Sequence, residues 1–236
     1  MSSYVSPKYI SDIGIKETIY ENKDGKITYL LNNGYKYKEF PENFRDMQDQ
    51  DVRYMHDCLL EQSKIDLKTI IVPSKLVADD NNLYGYIAPF VEGKPIQNID
   101  LDFLISDLLR IIRELEADVR ALSKDGWVME DMHDQNLLIN KSLSTGYIID
   151  TDCYEKSKEL LLVRKNYAMI FNTIIYSILP RIQLTKTFRK ELIQRFFYMA
   201  SQGLIPTSEF LQYILCEIRQ YIVSKLTVEE LRLKLK

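Results

Sequence analysis

VMEDMHDQNLLI, residues 128–139, is the most informative segment of the sequence, and GYIIDTD, residues 146–152, follows it closely. Each segment places acids or amides at the edge of a short apolar strand. Asp131 precedes Asn136 by five positions, and Asp150 ends a strand fourteen positions after Asn136. Two strands that end side by side can bring Asn136 and Asp150 to one cleft. Their oxygens suit Mg²⁺, a hard cation that proteins hold through one or two carboxylates together with phosphate and water.

The N-terminal part of the chain is predicted to be rich in strands. Residues 13–40 read as a three-stranded meander, because two Asx-Gly turns separate three strand-like runs. Pro41 begins a predicted helix whose apolar stripe extends to Leu59. Two further strands are predicted over residues 69–77 and 83–91. The order of three strands, one helix and two strands indicates an α+β unit.

The rest of the chain is predicted to be mainly helical. Residues 101–122 carry the apolar spacing of a long amphipathic helix, which Lys124-Asp125-Gly126 ends. A loop and two short strands around the turn 141–146 come next, and then three helices over residues 164–178, 186–199 and 208–226. Thr227 and Glu230 have the spacing of a capping box. We therefore expect an N-lobe over residues 1–92, with a five-stranded sheet and one helix, and a helical C-lobe over residues 93–236.

The order of these features resembles the protein kinase-like superfamily, in particular its aminoglycoside-phosphotransferase-like and atypical small members. Asp131-x-x-x-x-Asn136 is similar to the catalytic loop of that family, and Ile149-Asp150-Thr151-Asp152 to its metal-binding DFG-type segment. The resemblance implies a bilobal α+β fold with a small antiparallel-sheet N-lobe and a helical C-lobe, which together form one catalytic domain. It also implies that Asp131 orients or deprotonates an acceptor hydroxyl, while Asn136 and Asp150 hold Mg²⁺ on the phosphates of ATP.

Three further residues take nucleotide-binding roles from the same resemblance. YKYK, residues 35–38, is similar to the VAIK strand, which makes Lys38 the lysine that pairs with the phosphates. The glycine-rich loop is reduced to Gly25 within the turn 22–26, whose backbone is expected to cover the phosphates. Asp51 is the expected helix partner of Lys38, one methylene shorter than the usual glutamate.

IAPFVEG, residues 87–93, resembles the hinge of the family. The resemblance places the backbone groups of Pro89 and Val91 against the adenine of ATP. Ala88 then stands at the gatekeeper position, where a small side chain leaves a roomy back pocket.

The chain also departs from the family pattern. Met129-Glu130 replaces the usual His-Arg before the catalytic aspartate, and Thr151-Asp152 replaces the Phe-Gly of DFG. Asp152 is either a second carboxylate at the metal or a cap of the following turn, and we favour the turn cap. Only 15 residues separate Asp150 from Asn166, so no APE-type segment for docking a peptide fits between them. These departures favour a small-molecule acceptor or an atypical protein target.

Composition narrows the environment and the partners that we expect. The formal net charge is −3, which does not predict the basic face that non-specific nucleic-acid binding needs. The three cysteines are far apart and have no CxxC spacing, which favours a reducing cytoplasm. No apolar run reaches the roughly 20 residues that span a bilayer. We expect a cytoplasmic protein without nucleic-acid or membrane partners.

The sequence therefore predicts an ATP- and Mg²⁺-dependent phosphotransferase that acts on a hydroxyl group. The alternative is a pseudokinase that binds nucleotide or a partner protein without catalysis. The reduced glycine loop and the missing helix glutamate favour this alternative, whereas Lys38, Asp131, Asn136 and Asp150 favour the enzyme. A third interpretation is a helical interaction protein in which the motifs occur by chance.

Overall fold

The computed structural model describes residues 4–21, 23, 25–178, 190–217 and 226–234. The fold class is α+β, with seven α-helices and a mixed six-stranded sheet among the described residues. The chain divides into two compact units. The first comprises the chain up to Val91 together with Asp150–Cys153, and the second comprises Glu92–Ile149 and the chain from Tyr154 onward.

A mixed sheet forms most of the first unit. Its strands are β1 (Tyr4–Val5), β2 (Ile15–Glu21), β3 (Ile27–Leu31), β4 (Tyr35–Glu39), β5 (Lys75–Ala78) and β6 (Leu83–Pro89), in the order β1-β5-β6-β4-β3-β2. The antiparallel β2-β3-β4 meander confirms the strand pattern predicted around the two Asx-Gly turns. The predicted five-stranded antiparallel sheet is wrong in one respect. β1 adds a sixth strand that pairs with β5 in parallel.

The N-terminal segment also contributes a helix that the sequence analysis did not predict. Pro7 opens this helix, α1 (Pro7–Ile13), and Gly14 ends it with a φ of 80°. Ile10 of α1 is buried against Leu31, Tyr37 and their neighbours, so the helix covers one face of the sheet. Because side chains alternate along a strand, Lys36 and Lys38 point to the face opposite that of Tyr37.

The helix of the first unit begins later than predicted. Pro41 precedes only a 3₁₀ turn over Glu42–Phe44, and the helix α2 spans Gln50–Gln62. Asp49 caps α2 by accepting hydrogen bonds from the backbone N–H groups of Asp51 and Val52. The strand expected over residues 69–77 is shortened to β5, because Pro73 lacks the N–H that a sheet ladder requires.

The second unit holds the remaining helices and short strands. Its helices are α3 (Ile105–Lys124), α4 (Leu162–Ile178), α5 (Lys190–Ser201), α6 (Thr207–Glu217) and α7 (Val228–Lys234). Its strands are β7 (Lys94–Pro95), β8 (Trp127–Val128), β9 (Leu137–Asn140), β10 (Thr145–Ile148) and β11 (Glu155–Lys156). The strands form the sheets β10-β9-β7 and β11-β8. The predicted pair of strands around the turn 141–146 is confirmed as β9 and β10.

Helix α3 is the centre of the second unit and packs against α4, α6 and β10. Gly126 follows the end of α3 with a φ of 87°, which confirms the predicted stop. The capping box is also confirmed. The Thr227 N–H donates to Glu230 Oε2 at 2.9 Å, and the Glu230 N–H donates to Thr227 Oγ1 at 3.2 Å. Residues 186–189 and 218–225 of two predicted helices lie outside the described residues. Across the described ranges, no helix is long and apolar enough to cross a membrane.

Candidate functional site

Asp150 stands where the chain passes from the second unit to the first. The preceding residue, Ile149, donates its N–H to the Asn136 carbonyl at 2.9 Å in the second unit. Asp150 itself has a φ of 65°, in the left-handed region that a non-glycine residue adopts only at a cost. The segment Asp150–Cys153 then packs with the first unit. The unusual backbone conformation thus occurs at the residue assigned to metal binding.

Two carboxylates hold the Lys38 ammonium in the first unit. Lys38 Nζ forms an ion pair with Asp150 Oδ1 and a second with Asp152 Oδ1 at 3.0 Å. Lys26 Nζ binds the other oxygen of Asp152 at 3.2 Å. The Asp152 side chain is only 2% exposed, whereas that of Asp150 is 34% exposed. Asp150 is therefore the carboxylate that remains accessible to a ligand.

The register of the sheet explains how these groups meet. Lys38 of β4 lies opposite Tyr86 of β6, and residues directly opposite each other on antiparallel strands share a face. The Tyr86 hydroxyl donates to Asp150 Oδ1 at 3.5 Å. Lys36 lies two positions before Lys38 and therefore shares this face. We call Lys26, Lys36, Lys38, Asp150 and Asp152 the lysine–aspartate cluster.

The ionisable groups of the cluster shift one another's pKa values. Burial would raise the pKa of Asp152, but Lys38 and Lys26 outweigh it and hold this pKa well below its usual range. Burial and the charge of Asp152 raise the pKa of Asp150. Burial alone would lower the pKa of Lys38, but Asp152 and Asp150 reverse this effect and raise it. Asp152 is thus deprotonated and Lys38 is protonated at neutral pH.

Lys36 differs from the other two lysines of the cluster. It is only 9% exposed, and none of the described residues of the first unit forms an ion pair or hydrogen bond with its ammonium group. Burial lowers the pKa of Lys36 from 10.5 to about 8, an effect that Asp150 only partly offsets. Lys36 lies opposite Ala88 in the register of β4 and β6.

The structure does not bring Asp51 to Lys38. Asp51 is exposed in the first turn of α2, where its backbone N–H donates to the Asp49 carboxylate. In the first unit as described, the acids paired with Lys38 are Asp150 and Asp152. This role of Asp152 was not predicted, because an aspartate directly after a strand also suits a turn cap. Its spacing of two positions from Asp150 was the feature of the sequence that could have indicated the role.

The other predicted nucleotide-binding residues of the first unit lie on or near the sheet. Ala88 is buried on β6, and Pro89 is exposed at the end of that strand. Val91 is partly buried and is the last residue before the second unit begins. Gly25 lies between β2 and β3 with a φ of 79°, which glycine adopts without strain.

In the second unit, helix α4 anchors the loop that carries Asp131. Asn166 is fully buried near the start of α4, and its amide oxygen accepts the Met129 N–H at 2.9 Å. The Asn166 amide nitrogen donates to Ser123 Oγ at 2.9 Å and to the Trp127 carbonyl at 2.8 Å. The sequence analysis assigned Asn166 no role, although an amide within an apolar helix was a signal. Its three hydrogen bonds fix the entry to the loop.

Asp131 and Asn136 are joined within this loop. Asn136 Nδ2 donates to the Asp131 carbonyl at 3.0 Å, which leaves the amide oxygen of Asn136 as the group able to bind a cation. Asp131 is exposed and has a φ of 56°. The described non-glycine residues with a positive φ are Asp131, Ser144 and Asp150. Two of these three are residues that the sequence assigned to chemistry.

Each of the two predicted metal ligands has the chemistry that Mg²⁺ prefers. The partly exposed Asp150 carboxylate of the first unit and the Asn136 amide oxygen of the second unit are both hard oxygen ligands. Within the described ranges, no three or more His, Cys, Asp and Glu side chains form a cluster able to hold a metal ion. A magnesium ion held by such ligands would depend on few protein groups and on phosphate oxygens, as is usual for this cation.

A surface cavity of about 420 Å³ in the second unit contains none of the predicted site residues. Two lysines line it. Lys94 pairs with Asp100 at 2.9 Å, and Lys141 pairs with Asp102 at 2.7 Å. Because both lysines are already paired with aspartates, we assign the cavity no part in the chemistry.

Comparison of the chain with protein-family models and with curated proteins found no match.

Proposed function

We propose that the protein is an ATP- and Mg²⁺-dependent phosphotransferase with a bilobal, kinase-like fold that acts on a hydroxyl group of a small molecule or an atypical protein target. The observation that carries the proposal is the partly buried contact of Lys38 with Asp150. These residues are 112 positions apart, and the sequence pattern assigned them separately to phosphate and to metal. Asp152 supports the pair from its buried side.

Each residue has a defined role in this proposal. Lys38 and Asp150 hold each other in place, so that the lysine is positioned for the phosphates and the carboxylate for the cation. Mg²⁺ would neutralise phosphate charge when it is bound by Asp150 and Asn136. Asp131 orients the acceptor hydroxyl and receives its proton. Catalysis of this kind depends mainly on positioning and on charge stabilisation.

The left-handed conformations of Asp131 and Asp150 give separate support. Backbone strain of this kind costs of the order of 1–3 kcal/mol per residue, and it concentrates at functional sites. The network around Asn166 and the hydrogen bond from Asn136 to the Asp131 carbonyl hold the loop despite this cost.

A second candidate, a pseudokinase that binds nucleotide or a partner protein, is favoured by one observation. Lys38 is held by the acids of the segment 150–153 rather than by an acid of α2. In such a protein these ion pairs would stabilise the first unit and would not position phosphates.

The test is a pair of measurements on the wild type. Millimolar ATP with Mg²⁺ is expected to raise the melting temperature, because a ligand that binds only the folded state adds about 2.7 kcal/mol at a hundredfold excess over Kd. Transfer of label from γ-labelled ATP is then assayed with hydroxyl acceptors. Asp150→Asn is expected to lose both signals, whereas Asp66→Asn, a change of an exposed aspartate in the same unit, keeps both. Binding without transfer to any acceptor would favour the pseudokinase. No binding would refute both the enzyme and a nucleotide-binding pseudokinase, and would leave only a pseudokinase that binds a partner protein.

We also propose a cytoplasmic location without nucleic-acid or membrane partners. The three cysteines, Cys58, Cys153 and Cys216, are not joined in disulfides, as is usual in a reducing compartment.

A further inference from the structure

The lysine–aspartate cluster contains more positive than negative groups. It has three lysines and two aspartates, which leaves one positive charge in excess when all five groups are ionised. Asp152 is bound by Lys38 and Lys26, and Asp150 is bound by Lys38. Lys36 is the lysine of the cluster that no acid of the described first unit neutralises by direct contact.

A largely buried lysine without a counter-ion in contact is energetically unfavourable. Removing a charge from water costs several kcal/mol unless the charge is paired and hydrogen-bonded. Lys36 is 9% exposed, and it shares its face of β4 with Lys38. Burial also strengthens the attraction between the unpaired lysine and a bound anion, because the local dielectric constant is low.

We propose that Lys36 is the cation that binds an anionic phosphate group of the ligand, while Lys38 holds Asp150 and Asp152 in place. The inference rests on the proposed nucleotide site and changes which lysine of that site contacts the phosphates. Both acids already engage Lys38, so much of its charge is neutralised before a ligand arrives. Lys36 has its charge available. The ligand class is a polyphosphate, free or as part of a nucleotide.

The simplest alternative is that Lys36 only fills space. Its position opposite Ala88 gives this alternative some weight, because a small residue on β6 leaves room for the aliphatic stem of a lysine. Methionine has a flexible side chain of similar length and no charge. Lys36→Met therefore separates the two roles, since it keeps the packing and removes the cation.

The experiment is calorimetric titration of the wild type, Lys36→Met and Lys36→Gln with two probes, Mg²⁺-ATP and inorganic tripolyphosphate. Both variants are expected to bind each probe roughly 10- to 100-fold more weakly, as the loss of a charge-assisted hydrogen bond implies. The control is Lys16→Met, which removes an exposed lysine of β2 and is expected to leave both affinities unchanged. Lys36→Gln keeps the test informative if Lys36→Met does not fold.

The outcomes separate this inference from the proposed function. If the wild type binds ATP and the Lys36 variants bind it equally well, the inference is wrong and the nucleotide site stands. If tripolyphosphate binds in a Lys36-dependent manner but ATP does not bind, Lys36 is an anion-binding residue and the nucleotide proposal fails. If the wild type binds neither probe, both proposals are overturned.

Discussion

Replacing Lys36 by methionine is expected to stabilise the protein, by an amount that decreases as the pH rises. Burial and the positive charge of Lys38 lower the pKa of Lys36 and outweigh the charges of Asp150 and Asp152, so that it falls from 10.5 to about 8. Below pH 8 the lysine is protonated in both the folded and the unfolded chain, so the folded state carries the full cost of the buried charge. Between pH 8 and 10.5 the folded state binds fewer protons, so wild-type stability rises with pH.

The magnitude follows from the two pKa values. The difference between 10.5 and about 8 amounts to about 3 kcal/mol of unfolding free energy at pH 7. By pH 9 the folded protein has released most of its Lys36 proton while the unfolded chain still holds it, so the cost of the buried charge is partly relieved and about 2 kcal/mol of the difference remains. Lys36→Met is therefore expected to be more stable than the wild type by about 3 kcal/mol at pH 7, less any loss of packing. This difference in unfolding free energy between the variant and the wild type should be smaller by about 1 kcal/mol at pH 9.

The assay is urea unfolding of the wild type, Lys36→Met and Lys16→Met at pH 7, 8 and 9 under reducing conditions. Lys16 is exposed on β2, so its variant should track the wild type at every pH. A Lys36→Met protein that is less stable than the wild type at pH 7 would refute the reasoning, and so would a stability difference that does not change with pH. Either result would mean that Lys36 carries no burial penalty in the ligand-free protein.

Three other predictions concern the remaining site residues. Asp131→Ala is expected to leave Mg²⁺-ATP binding intact in calorimetry while turnover falls by roughly 10²–10⁴-fold, the usual contribution of a positioned general base. Asp150→Ala should instead weaken Mg²⁺-ATP binding, and equal losses of affinity in the two variants would contradict these separate roles. Asn166→Ala is expected to lower the unfolding free energy by about 2 kcal/mol or more, because it leaves the buried Met129 N–H without its partner; an unchanged urea midpoint would count against the anchoring role. Asp152→Asn is expected to lower the unfolding free energy at pH 7. The lowered pKa of Asp152 contributes stability above the ordinary pKa of 3.8, and this stability is lost as the pH falls through the folded-state pKa. The wild type and the variant should therefore become equally stable in acid, and a difference that persists at the lowest pH at which the protein folds would contradict this.

Local patterns predicted several elements of the fold. The β2-β3-β4 meander follows from Asx-Gly turns, and the end of α3 follows from Gly126. The capping box at Thr227 also formed as its spacing predicted. Each of these features depends on the conformational preferences of a few neighbouring residues. Such local preferences do not require contacts with distant parts of the chain. The start of α2 was misplaced because Pro41 suits a 3₁₀ turn as well as the first turn of an α-helix.

The alternation of side chains along β4 follows from the strand alone, and it places Lys36 and Lys38 on one face and Tyr37 on the other. Tertiary packing sets which face carries the charges, because α1 packs its Ile10 against the Tyr37 face. It also decided that Asp150 and Asp152, rather than Asp51, hold Lys38, and that Lys36 is buried without an acid in contact within the described first unit. Contacts across 112 and 114 positions depend on how distant segments pack, which no local pattern encodes.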